Sequence, residues 1–241
     1  DRERKVEARK SATLRLADLA FGGAGLPESW YVEISGALKA NQIIDLESVV
    51  DRHLAMSGVR RKTIDEALNA FWEIATAVAP TLGRAGTINL GAFRGPHDFI
   101  DYFRGGWFEE YVMHELTART PSSAAAEIVL GLKPNPFEMV GDREVPRESN
   151  VCDVDVGLLC DNQMHAIECK SYKQSLKSKS RQEWIDRSRT VRDTVVGVGG
   201  LSLIACMAPL DEAAGSRESA RRAQIDIAAG RKEILAGLDK I

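Results

Sequence analysis

A glutamate and a lysine lie two residues apart in the segment MHAIECKS, at Glu168 and Lys170, and an aspartate precedes them at Asp155 in VCDVDVGLLC. Because side chains alternate between the two faces of a β-strand, Glu168 and Lys170 would share one face of an otherwise apolar strand. Burying ionised groups in such a strand costs several kcal/mol per ion unless something compensates for the lost water. A divalent cation of the Mg²⁺ type compensates by taking carboxylate and carbonyl oxygens. The residue types and spacing therefore predict a metal site for phosphodiester hydrolysis.

The expected roles follow from a hairpin in which a turn at 161–163 joins the two strands. Asp155 and Glu168 would hold a Mg²⁺ or Mn²⁺ ion together with the main-chain carbonyl of Cys169. Lys170 would orient or activate the attacking water and offset charge on the phosphate. The alternative is a cross-strand ion pair between Lys170 and Asp155 on an exposed rim, worth about 0–1 kcal/mol. The spacing alone leaves both interpretations open, because Asp-x(n)-Glu-x-Lys is short enough to occur by chance.

A helix carrying GGWFEEYV precedes the strands and contributes a further acid. Glu109 borders the apolar face formed by Phe108, Val112 and Leu116, whereas Glu110 points almost to the other side. We therefore expect Glu109 to reach the sheet as a metal or water ligand and Glu110 to be solvated. A surface carboxylate beside a core stripe is the alternative for Glu109.

The second half of the chain predicts the elements that position these residues. A helix at about 98–119, interrupted at Gly105–Gly106, is followed by four strand-like segments, a helix at about 180–196, a buried strand in GGLSLIACMAP and a terminal helix at 216–238. This order favours an α/β fold with a mixed sheet flanked by helices, in a domain covering residues 96–241.

The first half of the chain is predicted to be mostly helical. A helix over 4–20 and helices over DLESVVDRHL and TIDEALNAFWEIATAVA dominate it, and a Gly- and Pro-rich linker with one short strand at Thr87–Leu90 follows. Residues 1–95 are thus expected to form a smaller, mostly helical region compatible with a winged-helix-like bundle. The chain does not begin with methionine, so we expect it to be part of a longer protein.

Taken together, G-x-W-F-E-E-Y-V, D-V-D-V and I-E-C-K resemble, in order and spacing, the restriction-endonuclease-like domain of CRISPR-associated, cyclic-oligoadenylate-activated nucleases. In that family, from type III CRISPR defence, a CRISPR-associated Rossmann-fold (CARF) sensor is joined to a PD-(D/E)xK nuclease. The resemblance covers about residues 96–210. It implies that Glu109 is the helix carboxylate, Asp155 the hairpin aspartate, and Glu168 with Lys170 the E-x-K pair. Asp153 stands where the family more often has glutamate.

The resemblance also implies an antiviral homodimer that a cyclic oligoadenylate switches on. Its activity would be metal-dependent cleavage of single-stranded RNA or DNA, or nicking of duplex DNA. Residues 1–95 show no strand series with a glycine-rich phosphate turn, so no CARF sensor is evident in this chain. Two other functions stay open: a restriction- or repair-type duplex DNA endonuclease, and an inactive nuclease-fold interaction module.

Charge and composition bear on partners and location. The net charge is −3, yet the stretch from Glu168 to Arg192 holds eight basic and three acidic residues. One interpretation is that part of it contacts nucleic-acid phosphates, through the side chains of Lys173, Lys177, Lys179, Arg181 and Gln182. The alternative is a solvated helix face preceded by a loop. The sequence has no apolar run of membrane-spanning length and no secretory signal at its charged start, and its four cysteines include no CxxC pair. These features predict a cytoplasmic protein with reduced thiols and no membrane partner.

Overall fold

The structure is a computed structural model of the 241-residue chain. It describes residues 2–22, 43–45, 62, 65–66, 69, 87–89, 102–121, 125–133, 137–140, 143–146, 153–171, 178–207 and 214–241. The chain divides into two compact units, Asp1–Tyr111 and Val112–Ile241. The boundary predicted between residues 95 and 96 lies outside the described residues. Within the described ranges, no helix combines the length and apolar character needed to cross a membrane.

The helices and strands of the two units run as follows. The first unit contains α1 (Arg2–Phe21), β1 (Ile43–Asp45), β2 (Thr87–Asn89) and a helical turn that is kinked at Gly105 (Tyr102–Gly106). The next helix, α2 (Trp107–Arg119), contains the division between the units. The second unit continues with β3 (Ala126–Leu132), β4 (Phe137–Val140), β5 (Arg143–Pro146), β6 (Val154–Cys160), β7 (Gln163–Lys170), α3 (Ser178–Val191), a π-helical extension (Arg192–Val196), β8 (Ser202–Cys206), α4 (Ala214–Arg222), β9 (Asp226–Ala229) and α5 (Arg231–Leu238).

In the first unit, a buried ion pair joins α1 to the start of α2. The Arg9 guanidinium donates through Nε to both carboxylate oxygens of Glu110, at 2.9 Å each, and lies 5.0 Å from the Tyr102 ring centroid. Glu110 is 2% exposed, so the prediction that it is solvated is wrong. The prediction considered only the apolar stripe of α2. It did not foresee that Arg9 of α1 packs against the side of α2 that carries Glu110.

The second unit is built on a five-stranded mixed sheet with strand order β3-β6-β7-β8-β9. The first three strands are antiparallel to one another, and β8 and β9 run parallel to β7. Helices accompany this sheet, which confirms the predicted α/β fold with a mixed sheet flanked by helices. β4 and β5 form a separate two-stranded hairpin, in a segment that the sequence suggested was one strand.

α3 connects β7 to β8 and covers one face of the sheet. Its buried Ile185 packs with Ile204 and Cys206 of β8, and its buried Val191 packs with Ala166 of β7. Because side chains alternate along a strand, Glu168 and Lys170 share the α3-covered face with Ala166. The catalytic residues predicted on β7 therefore lie beneath a helix rather than on an open sheet surface.

Two local features fix the register of β7. Asp161 and Asn162 have φ of 51° and 61°, a left-handed pair suited to the two-residue turn that joins β6 to β7. On the other side of β7, a Cβ at Gly200 would stand 1.8 Å from the Met164 carbonyl oxygen. Only glycine at this position lets the chain just before β8 lie close against β7. There, the Ala166 amide donates a hydrogen bond to the Leu201 carbonyl at 3.0 Å.

The predicted terminal helix over 216–238 is wrong, because the segment forms α4, β9 and α5. The alanine-rich stretch has helical propensity, but Ile225 is buried and β9 hydrogen-bonds to β8. Tertiary pairing at the sheet edge thus overrides the local preference. The helix after Gly105 starts afresh as predicted, since Gly105 adopts φ 158° and ψ −21°. Most of the two helices predicted within 45–79 lies outside the described residues.

Candidate active site

The hairpin of β6 and β7 brings Asp155 and Glu168 together. Val156 pairs with Ile167 in the antiparallel register, so Asp155 and Glu168 follow as the next facing positions. The carboxylate of Asp155 accepts a hydrogen bond through Oδ2 from the Cys169 amide at 2.7 Å. This bond fixes the aspartate at the point where the regular ladder between the strands ends. The carboxyl groups of Asp155 and Glu168, on neighbouring strands, therefore lie close enough to affect each other's ionisation.

Lys170 completes the cluster on the same face of β7. Its ammonium forms an ion pair with Oε1 of Glu168, and it also lies 5.6 Å from the centroid of the Trp184 ring on α3. The side chains of Lys170 and Glu168 are 17% and 7% exposed. Lys170 therefore pairs with Glu168 on its own strand, and it does not lie on the exposed rim that the alternative of a pair with Asp155 assumed.

The electrostatics of the cluster combine the burial of Asp155 with the charge of a second acid. Burial, and after it the neighbouring charge of Glu168, raise the pKa of Asp155 from 3.8 to about 6. The charge of Lys170, the hydrogen bond from Cys169 and the charge of Arg187 act in the opposite direction on the same pKa. Lys170 and Arg187 thus compensate only part of these effects, and burial still disfavours the ionised form of Asp155.

This donor set fits a small hard cation. Among the residues that the structure describes, no group of three or more His, Cys, Asp or Glu side chains is arranged to hold a metal ion. Mg²⁺, however, is commonly bound through one or two carboxylates and keeps several waters. Asp155 and Glu168 supply two such carboxylates, and the Cys169 carbonyl lies beside them in sequence as a third oxygen donor. The raised pKa of Asp155 marks a position where a divalent ion would relieve the excess negative charge.

Glu109 lies in the first unit, half-buried on α2, whereas the other three predicted catalytic residues lie in the second unit. The flanking residues Trp107 and Tyr111 are completely buried, which places them in core packing rather than on a surface that stacks bases. His165 is also buried, and its Nδ1 accepts a hydrogen bond from the Leu201 amide at 3.2 Å. That histidine supports the approach of β8 to β7.

The predicted phosphate-contacting residues are only partly described. Lys173 and Lys177, together with the side chain of Lys179, lie outside the described residues. Gln182 is exposed on α3, and its amide donates to Asp186 one helical turn away at 2.8 Å. Arg181 is half-buried and lines a small cavity with Trp184 and Cys206.

Sequence reasoning missed the contribution of α3 to the cluster. Trp184 lies beneath the Lys170 ammonium, and Arg187 acts on the Asp155 carboxyl and donates to the Asp153 carbonyl at 3.4 Å. The signal was present in the helical periodicity, because Ile185, Ser188 and Val191 mark a buried stripe and Trp184 and Arg187 border it. The sequence did not show that this stripe packs over β7 rather than over another strand.

Comparison with known proteins supports the fold. The sequence matches no protein-family model and no curated protein. Protein VC1899 from Vibrio cholerae aligns with 95% of this chain at 17% identity, with a TM-score of 0.57. Can2 from Sulfobacillus thermosulfidooxidans, in complex with cyclic tetra-adenylate, aligns with 96% at 17% identity and a TM-score of 0.52. This chain spans about half of each of these proteins, 55% and 54% of their lengths. At this identity the likeness establishes a common fold.

Proposed function

We propose that this protein is a metal-dependent endonuclease that hydrolyses phosphodiester bonds in nucleic acid, with Asp155, Glu168 and Lys170 at its centre. The observation that carries the proposal is the buried pairing of two acids from adjacent strands with a single ammonium, which leaves the Asp155 pKa at about 6. Packing alone gives no reason to bury such a cluster, because each buried ion costs several kcal/mol. A PD-(D/E)xK nuclease requires these groups in this order.

In the proposed mechanism, Asp155 and Glu168 would hold a Mg²⁺ or Mn²⁺ ion, with the Cys169 carbonyl as a further ligand. When bound, the ion supplies Lewis-acid activation of the attacking water and of the scissile phosphate. Lys170 exchanges Glu168 for a phosphate oxygen and offsets the negative charge that develops during in-line attack. Trp184 holds the stem of Lys170 in place, since the ammonium already lies over its ring.

The biological setting is part of the same proposal. Can2, which shares the fold, was solved in complex with cyclic tetra-adenylate. Together with the sequence motifs, this supports a CRISPR-associated antiviral effector, active as a homodimer and switched on by a cyclic oligoadenylate. We propose that the sensor and the dimer contacts lie outside this chain, which spans 55% and 54% of the lengths of the two aligned proteins.

The test is cleavage of labelled single-stranded RNA, single-stranded DNA and duplex DNA by the purified protein. Each substrate is incubated with Mn²⁺ or Mg²⁺ or with chelator, and with or without cyclic tetra-adenylate. We expect cleavage that requires the cation. Cleavage that persists at full rate in excess chelator would contradict the proposed chemistry. Cleavage by a longer protein that carries the sensor would contradict activation by cyclic tetra-adenylate if that ligand left its rate unchanged.

Three variants locate the activity. Glu168→Gln keeps the size of the side chain and removes its charge, and we expect at least about a 100-fold loss of rate. Lys170→Ala removes the ammonium, with an expected loss of about 10²–10⁴-fold. Glu183→Gln is the matched control, because Glu183 is an exposed glutamate on α3. Equal losses in Glu168→Gln and Glu183→Gln would place the site elsewhere.

A further inference from the structure

Two buried serine hydroxyls lie beside the acid cluster without a hydrogen-bond partner among the residues that the structure describes. Ser188 on α3 is 6% exposed and Ser202 on β8 is 4% exposed. Both Oγ atoms are inaccessible to solvent and unpaired with protein atoms in the described ranges. Buried hydroxyls are almost always hydrogen-bonded, since an unpaired one loses its water without compensation. Two such groups in one place indicate a missing common partner.

The two serines line the same small cavity, and Glu168 lines it with them. The remaining walls are apolar side chains of β6, β7, β8 and α3. Ser202 pairs with Ala166 in the parallel register of β7 and β8, so it shares the α3-covered face with Ala166 and Glu168. Three polar residues thus line the cavity, and one of them, Glu168, belongs to the proposed catalytic centre.

The size and lining of the cavity select its occupant. It has room for about one water molecule, and a buried water typically makes two to four hydrogen bonds. A single water can accept from one serine hydroxyl and donate to Glu168 and to the other serine. An apolar occupant would leave both hydroxyls unpaired, and a metal ion would find only one carboxylate in this cavity.

We propose that Ser188 and Ser202 are positioning residues for the catalytic carboxylate of Glu168, which they hold through one buried water. The inference rests on the proposed function, because it assigns the water a role only where Glu168 binds the catalytic ion. The Lys170 ammonium restrains Oε1 of Glu168 from the strand end, and the water restrains the carboxylate from the α3 side. When Lys170 exchanges Glu168 for the phosphate, the water-mediated contact is what keeps the carboxylate in place.

Outer hydrogen-bond partners of metal ligands typically change metal affinity or activity about 10–100-fold when removed. We therefore expect Ser188→Ala and Ser202→Ala each to weaken Mn²⁺ binding about 10-fold, measured by calorimetry on the protein without nucleic acid. The KM for nucleic acid should stay unchanged at saturating Mn²⁺. Ser219→Ala on α4 is the control, because it removes a hydroxyl outside this cavity and should leave Mn²⁺ affinity unchanged.

A crystal structure of the metal-free protein tests the bridge without reference to activity. We expect a water within hydrogen-bond distance of Ser188, Ser202 and Glu168. A dry cavity, or serine hydroxyls turned onto main-chain carbonyls, would overturn the proposal. So would a bridging water together with unchanged Mn²⁺ affinity in both alanine variants. If the wild type binds no Mn²⁺, the proposed function and the positioning role fail together, and electron density still decides whether the water is there.

Discussion

Replacing Asp155 with asparagine should stabilise the metal-free protein at alkaline pH while removing its proposed activity. Asparagine keeps a side-chain oxygen that can accept the 2.7 Å hydrogen bond from the Cys169 amide. It removes the negative charge that burial and Glu168 disfavour. A buried carboxylate that costs stability when it is ionised is what a cation-binding site would show in the absence of its ion.

The magnitude follows from the pKa of Asp155, which is 3.8 as a free side chain and about 6 in the folded protein. At about 1.4 kcal/mol per pKa unit, the difference corresponds to an upper limit of about 3 kcal/mol. Because Asp155 keeps some contact with solvent, we expect about 2 kcal/mol. The folded pKa is raised, so the stability associated with the protonated group is fully present below pH 4 and is lost as the pH rises through about 6. The gain from asparagine should therefore be near zero at pH 4 and complete by pH 8.

Urea denaturation of the wild type and of Asp155→Asn, in chelator at several pH values between 4 and 8, measures this gain directly. The matched control is Asp186→Asn, an exposed aspartate on α3, for which we expect no comparable pH-dependent gain. If Asp155→Asn is less stable than the wild type at pH 8, or if its effect does not change between pH 4 and pH 8, the excess-acid interpretation of the cluster is refuted.

Three further predictions concern neighbouring interactions. Glu168→Gln should lower the pKa of Asp155. The gain in unfolding free energy from Asp155→Asn at pH 8 should therefore be smaller in the Glu168→Gln protein than in the wild type, as measured by a double-mutant cycle of urea denaturation. Arg9→Met should destabilise the protein by about 3–5 kcal/mol because it removes the Arg9 guanidinium from the buried Glu110 carboxylate. Adding Glu110→Gln should recover part of the loss, and no recovery would contradict the ion-pair argument. Gly200→Ala should cost more than about 2 kcal/mol in thermal or urea denaturation, because its Cβ would collide with a main-chain carbonyl of β7, and a neutral result would show that this approach can relax.

Much of the fold was predictable because its signals are local. The apolar strands around Asp155 and Glu168, and the polar turn between them, indicated the β6–β7 hairpin, and the glycines at 105 and 106 indicated the break before α2. β9 was missed because its alanines favour helix locally and become a strand only by pairing with β8. Strand order beyond the hairpin also depends on long-range pairing, which one sequence does not report.

In the candidate site too, the residues on one hairpin were predictable and those brought in by long-range packing were not. Alternation along one strand put Glu168 and Lys170 on a common face, and the hairpin register brought Asp155 opposite them. The partner of Glu110 was missed because Arg9 is about a hundred residues away in sequence. Trp184, Ser188 and Ser202 were missed because only the packing of α3 and β8 around β7 brings them to the acids. Residue spacing predicts which side chains of one strand or helix share a face. It does not predict which side chains of another strand or helix pack against them.

Binding of Mn²⁺ to the isolated protein, counted by electron paramagnetic resonance, tests most directly whether Asp155 and Glu168 form one cation site. We predict saturable binding in the wild type and in the exposed control Glu183→Gln, and its loss in both Asp155→Asn and Glu168→Gln. Binding that survives unchanged in either of these two variants would contradict a shared site.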